Sequence, residues 1–118
     1  MGGVAAIYIA GTSESPVFGT RVWDAHCNGF GSAHGGFIST LADVWAAHCL
    51  VPRLEPSARF ATSNLAVDFL SRVQAGDWLQ SETDRIRVGR RICVVTLAIV
   101  CGERAVALAR ASFSLADA

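Results

Sequence analysis

From His34 to Leu50 the chain runs without a proline and is mostly apolar, with Phe37, Ile38, Leu41, Val44 and Trp45 at helical spacing. Pro52 and Pro56 end the run. At ~1.5 Å per residue this predicts a helix roughly 25 Å long, the width of a small domain. Its apolar positions spread over much more than one stripe, so the helix has to be surrounded by protein. The 118-residue chain must supply that wrapping from its remaining segments. This length argues for one domain with one core.

The second half changes period. Between Thr62 and Ser71, Leu65, Val67 and Phe69 alternate with Asn64, Ala66 and Asp68, as in a half-buried strand. A second strand is expected from Gly76 to Val88, with Leu79, Ile86 and Val88 as its apolar points. Gly89-Arg90-Arg91 forms the next turn, and Ile92 to Cys101 is β-rich and nearly all apolar, hence a central strand. Gly102-Glu103 then turns into Arg104–Phe113, where Val106, Leu108 and Phe113 are the larger apolar residues. Four successive strands with short turns imply an antiparallel meander, and the lack of βαβ alternation excludes a doubly wound sheet. The fold class is therefore α+β: one long helix against a curved antiparallel sheet. Residues 1–16 read as a short lead-in, and 17–118 as the domain, with Val17 to His26 as a first strand.

Composition narrows the function. Hydrophobic residues make up 52% of the chain and charged residues 17%, which excludes a disordered chain. All ten basic residues are arginine and ten acids balance them, so no excess charge attracts nucleic acid. No stretch is long enough for a transmembrane helix, and the opening residues lack a basic leader region. A cytoplasmic protein is expected, with no nucleic-acid or membrane partner. In that compartment Cys27, Cys49, Cys93 and Cys101 read as free, mostly buried thiols. The neighbours His26-Cys27 and His48-Cys49 lack metal-ligand spacing, so no metal is expected.

The chemistry concentrates between Asn28 and Asp43. Asn28 to Gly36 holds four glycines in nine residues and reads as a tight loop running into the helix. Gly35 and Gly36 fall in the first helical turn, where each costs about 1 kcal/mol relative to Ala. Two accounts are open: close packing against the sheet, or an approach for a ligand oxygen to the free N–H groups at the positive helix end. For a carbonyl substrate the second is an oxyanion hole. Asp43, mid-helix among Leu41, Ala42, Val44 and Trp45, lies at a solvated edge or is held in a site as base or nucleophile. Gly35 and Asp43 are eight residues apart, ~12 Å along the axis and roughly 80° around it. One small carbonyl cannot reach both in one chain, so cooperation between them requires two helices packed antiparallel about a two-fold axis.

The string Asn28-Gly-Phe-Gly-Ser-Ala-His34-Gly35-Gly36, followed six residues later by Asp43, resembles the N-x-x-G-x-x-H-G-G-x6-D pattern of hotdog-fold acyl-CoA thioesterases of the PaaI (phenylacetate-pathway) type. Thr62 to Leu70 resembles that family's T-x6-F-L strand, and Gly76-Asp77 and Gly89-Arg90-Arg91 its later turns. The resemblance spans roughly residues 18 to 115. It implies a hotdog fold, homodimers whose sheets join, and often dimers of dimers. It implies hydrolysis of an acyl-CoA to a free acid and CoA, with no cofactor beyond the CoA carried by the substrate. Asp43 would be the catalytic carboxylate, and the Gly35 N–H of the facing protomer would polarise the carbonyl. Asn28 and His34 would position substrate or water, Thr62 would place a hydroxyl near the carboxylate, and Gly89, Arg90 and Arg91 would contact the CoA phosphates. The chain departs from the family in its short N-terminal segment and in Ala66, at a strand position that is often polar. Two other functions are compatible: a non-catalytic acyl-CoA-binding dimer, and a hydratase or dehydratase on the same fold. Gly31-Ser32-Ala33-His34-Gly35 is not the G-x-S-x-G of serine hydrolases, and Gly29-x-Gly31 lacks the third glycine of a dinucleotide site.

Overall fold

The computed structural model describes residues 8–12, 16–23, 27 and 33–116. Strand β1 (Tyr8–Gly11) and β2 (Pro16–Arg21) precede helix α1 (Gly35–Leu50), which runs into one 3₁₀ turn (Val51–Arg53). Then follow β3 (Phe60–Phe69), β4 (Trp78–Val88), β5 (Ile92–Cys101) and β6 (Arg104–Leu115). All pairings are antiparallel, in one six-stranded sheet of order β1-β2-β4-β5-β6-β3. Among the described residues no helix is long and apolar enough to cross a membrane.

The helix matches its expected span, and its breadth of apolar surface has the expected cause. Ile38, Leu41, Ala42, Trp45, Ala46, Cys49 and Leu50 are buried, and Phe37, Val44 and Ala47 are half-buried. The sheet makes room for it by pairing large with small residues. Val95, Leu97 and Ile99 of β5 stand opposite Ala111, Ala109 and Ala107 of β6, all facing the core. The inner row of β6 is therefore its alanines with Phe113, and Leu108, expected among the apolar points, faces outward and is 48% exposed.

Three further expectations need correction. The strands from β3 onward are not a simple meander: β4, β5 and β6 are, but β3 lies beyond β6. Residues 70–77 carry the chain across the sheet end. Leu70 and Ser71 donate to the Val106 carbonyl (2.8 and 3.3 Å), and Gly76 donates to the Val22 carbonyl (2.7 Å). Asp77 and the Arg72 carbonyl are tied to the Arg104 guanidinium, at 3.5 and 2.8 Å. Crossing three strand spacings takes ~14 Å, within reach of this segment, so its length could not distinguish a crossing from a tight turn. On β4 a bulge between Thr83 and Arg85 resets the inward phase from Leu79, Ser81 and Thr83 to Ile86, and Val88 at the strand end is 46% exposed. The first strand ends at Arg21, and the lead-in contains β1, paired to β2. Of the residues expected to continue that strand, 24–26 lie outside the described residues.

Ser81 is buried, and its Oγ accepts the Phe18 N–H at 2.8 Å where the β2–β4 ladder runs out. Ser81→Ala leaves that donor buried without its partner, a cost of about 1–3 kcal/mol. The expected result is a lower urea midpoint with an unchanged slope, and an unchanged midpoint would show that the bond carries no net stability.

Candidate active site

At the start of α1, His34 is extended (φ −64°, ψ 139°), makes no side-chain cap, and no acidic residue occupies the first turn. Its carbonyl accepts from Phe37 and Ile38 at 3.1 and 3.2 Å. The N–H groups of Gly35 and Gly36 have no partner among the described residues, and both glycines are exposed. Neither has positive φ. A Cβ on Gly36 would meet nothing within 4 Å, and one on Gly35 would meet only the Phe69 ring, with Cζ at 3.4 Å. Packing against the described residues therefore does not require glycine at either position.

Asp43 sits two turns further on, half-buried. The Thr62 hydroxyl donates to its Oδ1 at 2.9 Å. A bulge between Thr62 and Asn64 sets this up: Thr62 pairs with Phe113 and Asn64 with Ser112, leaving Ser63 unpaired, its Oγ donating to the Ser112 carbonyl at 3.2 Å. The bond holds one carboxylate oxygen and leaves Oδ2 available. The structure thus joins Asp43 to Thr62 near the start of β3, and places Gly35 beside Phe69 at its end. It does not bring Gly35 to Asp43 within one chain. Asn28 lies outside the described residues.

The β4–β5 turn holds Gly89, Arg90 and Arg91. Gly89 donates to the Ile92 carbonyl at 3.1 Å, and a Cβ there would come within 2.5 Å of that oxygen, so the tight turn needs glycine. Arg90 and Arg91 are exposed. Arg85 and Arg87, adjacent in sequence, stand opposite Thr96 and Val94 on the sheet face away from the helix and do not join them. Arg59 lies at the same end of the sheet, which nothing in the residue order indicates. The Arg91 carbonyl accepts from Leu115 (2.8 Å) and the Arg59 carbonyl from Ala116 (2.9 Å), on opposite sides of the β6 end, so the two segments are two strands apart.

None of the four cysteines is in a disulfide. Cys49, on the buried side of the helix, has its thiol pushed up from the ordinary range by burial, against the smaller opposing effects of Thr83 (3.5 Å) and Arg53. It stays a protonated core thiol rather than a nucleophile.

A long helix gripped by a six-stranded antiparallel sheet, with a carboxylate mid-helix, is the hotdog architecture. A model of the thioesterase superfamily matches residues 30–108. A provisionally named esterase of Pseudomonas aeruginosa is 37% identical over 99 residues, covering 84% of this chain and 74% of its own. The Escherichia coli PaaI protein of the phenylacetic acid degradation operon superposes with a TM-score of 0.82 at 26% identity, over 94% of this chain and 80% of that one. A phenylacetic acid degradation-related protein of Ralstonia eutropha reaches 0.86 at 28% identity, over 95% and 86%. A Streptococcus pneumoniae thioesterase-type protein solved with coenzyme A shares the fold at 0.84 and 23% identity, over 94% and 86%. The chain belongs to the thioesterase superfamily, and it is a thioester hydrolase of PaaI-like hotdog fold.

Because the space around Gly36 is open, Gly36→Ala should raise unfolding stability by up to ~1 kcal/mol through helix propensity alone. A denaturation midpoint below that of the parent protein would refute this and show that position 36 is crowded in the assembled protein.

Proposed function

We propose that this protein hydrolyses acyl-CoA thioesters at a site shared between two protomers. The observation that carries the reading is the Thr62–Asp43 hydrogen bond beside a free sheet edge. Strand β3 is that edge, with the Asp43–Thr62 pair toward its start and the Gly35–Phe69 contact at its end. Two copies of β3 paired antiparallel about a two-fold axis bring the start of one strand to the end of the other. Gly35 of one protomer then faces Asp43 of its partner, and each dimer holds two sites.

In each site the Gly35 N–H, at the positive end of the helix, donates to the thioester carbonyl oxygen and stabilises the negative charge that develops there. Asp43 acts through Oδ2, as base toward water or as nucleophile at the carbonyl carbon, while Thr62 holds Oδ1. The C–S bond breaks and the sulfur takes a proton to leave as the CoA thiol, while water supplies the hydroxyl of the carboxylic acid, either by direct attack or by hydrolysing the acyl–Asp43 anhydride and freeing the carboxylate. Asn28 and His34 position substrate or water near the oxyanion. Arg90 and Arg91 take the CoA phosphates, for which guanidinium is well shaped. The coenzyme A in the pneumococcal neighbour supports this choice of leaving group. CoA enters as part of the substrate, and the chemistry asks for no separate cofactor.

Asp43→Asn is expected to lower kcat by about 10²–10⁴ with CoA binding retained. Full turnover by this variant would sink the mechanism. Binding without turnover in the parent protein would instead favour a non-catalytic acyl-CoA-binding dimer. Gly35→Pro removes the donor and also fills the space beside it next to Phe69. Gly35 is the first helical residue, where proline is accepted, and His34 already has the extended conformation that proline demands. The variant should keep its helix and lose about 10²–10³ in kcat. Mixing it with Asp43→Asn should restore activity, since each mixed dimer contains one intact site. No recovery on mixing would mean that the site is not shared.

A further inference from the structure

We propose that Phe69 is the specificity-determining residue of the acyl subsite and that it selects acyl groups with an extended apolar chain. The inference deepens the thioesterase reading and rests on it. Phe69 ends edge strand β3 on the face that carries Leu65 and Val67 against the helix, yet it is 55% exposed, and Leu70 after it is 51% exposed. In a single chain both are uncovered at the end of the edge that the proposed dimer pairs, and Phe69 is the one on the helix side. What lies beside them is the start of α1: the Phe69 ring atoms Cζ, Cε1 and Cε2 stand 3.4, 3.7 and 3.9 Å from where a Gly35 side chain would begin.

An oxygen accepting from the Gly35 N–H lies about 3 Å from that nitrogen, and the Phe69 ring borders the same residue, within reach of one substituent of the carbonyl carbon. The other substituent leads away. The register decides which is which. Cys93 pairs with Phe113, and Phe113 with Thr62, so the Gly89–Arg91 turn lies at the Thr62 end of its own sheet. In the shared site, one protomer brings the arginines with Asp43 and Thr62, and the other brings Phe69 and Leu70 with Gly35. The polyanionic arm of the thioester goes toward the arginines, and the acyl arm goes over Phe69. The ring is a flat apolar wall without a polar atom, so it rewards each further methylene laid along it by about fourfold in kcat/KM at full burial. It offers acetyl little.

The test is thiol release from straight-chain acyl-CoAs, acetyl through decanoyl, by the full-length protein and by Phe69→Ala and Phe69→Leu. The quantity read is the ratio of kcat/KM for decanoyl to that for acetyl. The parent protein should favour decanoyl, the ratio should fall at least tenfold in Phe69→Ala, and Phe69→Leu should lie between. A purely structural role for the ring would lower both values together and leave their ratio in place. The ratio is read whatever the thermal midpoint does; if Phe69→Ala does not fold, Phe69→Leu carries the comparison. A ratio unchanged within twofold, with turnover still dependent on Asp43, overturns the role of Phe69 and leaves the thioesterase reading intact. Absence of hydrolysis by the parent protein across the straight-chain series, with an aromatic acyl-CoA such as phenylacetyl-CoA still hydrolysed, overturns the extended-chain preference alone; absence with both kinds of substrate overturns the thioesterase reading as well.

Discussion

The structure depends on how closely α1 can lie on the sheet. The inner face of β6 carries Ala107, Ala109 and Ala111 where its neighbour β5 carries Ile99, Leu97 and Val95, so the helix is seated over an alanine track between larger residues. Trp45, fully buried and stacked on Phe18 at 6.3 Å between ring centroids, closes the other flank. Interiors packed to crystal-like density do not absorb an added methylene without displacing something. A larger side chain on the β6 track would lift the helix. Because Thr62 rides on β3, which pairs with β6, and Asp43 rides on α1, a small displacement between helix and sheet would act directly on the 2.9 Å bond between them. Positioning of the carboxylate is a consequence of core packing far more than of local contacts.

Much of this was legible in the residues. The helix follows from the apolar spacing of Phe37 to Trp45 and the prolines after it, and β5 from a run in which every second residue is buried. What the periodicity could not show was where β3 goes. Residues 70–77 are as compatible with a tight turn as with a traverse, and the choice is made by tertiary bonds to Val106 and Val22. The bulges on β3 and β4 were equally hidden, because each inserts one residue into a two-residue period and shifts everything after it. Leu108 shows the same limit from another side: on β6 the large residue points out and the alanines point in, because the space opposite is already filled by β5 and α1.

The candidate site divides along the same line. Asp43 and Gly35 stand out through residue type and spacing, Thr62 only through the family resemblance, and the Asp43–Thr62 pair is in contact. Arg59 does not stand out, since only the return of β6 between β5 and β3 brings it to the same sheet end as Arg91. The arginines at 85 and 87 show the converse: close in sequence to the turn, they are carried to the opposite sheet face by the strand's alternation. Phe69 was visible as an apolar point of a strand, but its exposure beside Gly35 is a property of the strand's end, where the sheet runs out before the helix does.

The beginning of α1 is built against its own stability. A helix start normally gains about 1 kcal/mol from a capping side chain and a further few tenths to 1 kcal/mol from an acidic residue in its first turn. Here neither is present among the residues of the first turn, and two glycines replace better helix formers. Added together, the terminus forgoes on the order of 3 kcal/mol of local stabilisation, which the buried face from Ile38 to Leu50 has to offset. A cap or an acidic residue would have satisfied the same N–H groups and cancelled the same positive potential that a carbonyl oxygen would use. The local deficit and the availability of the donors are therefore one feature, and it explains why a strongly packed helix begins with its two least helical residues.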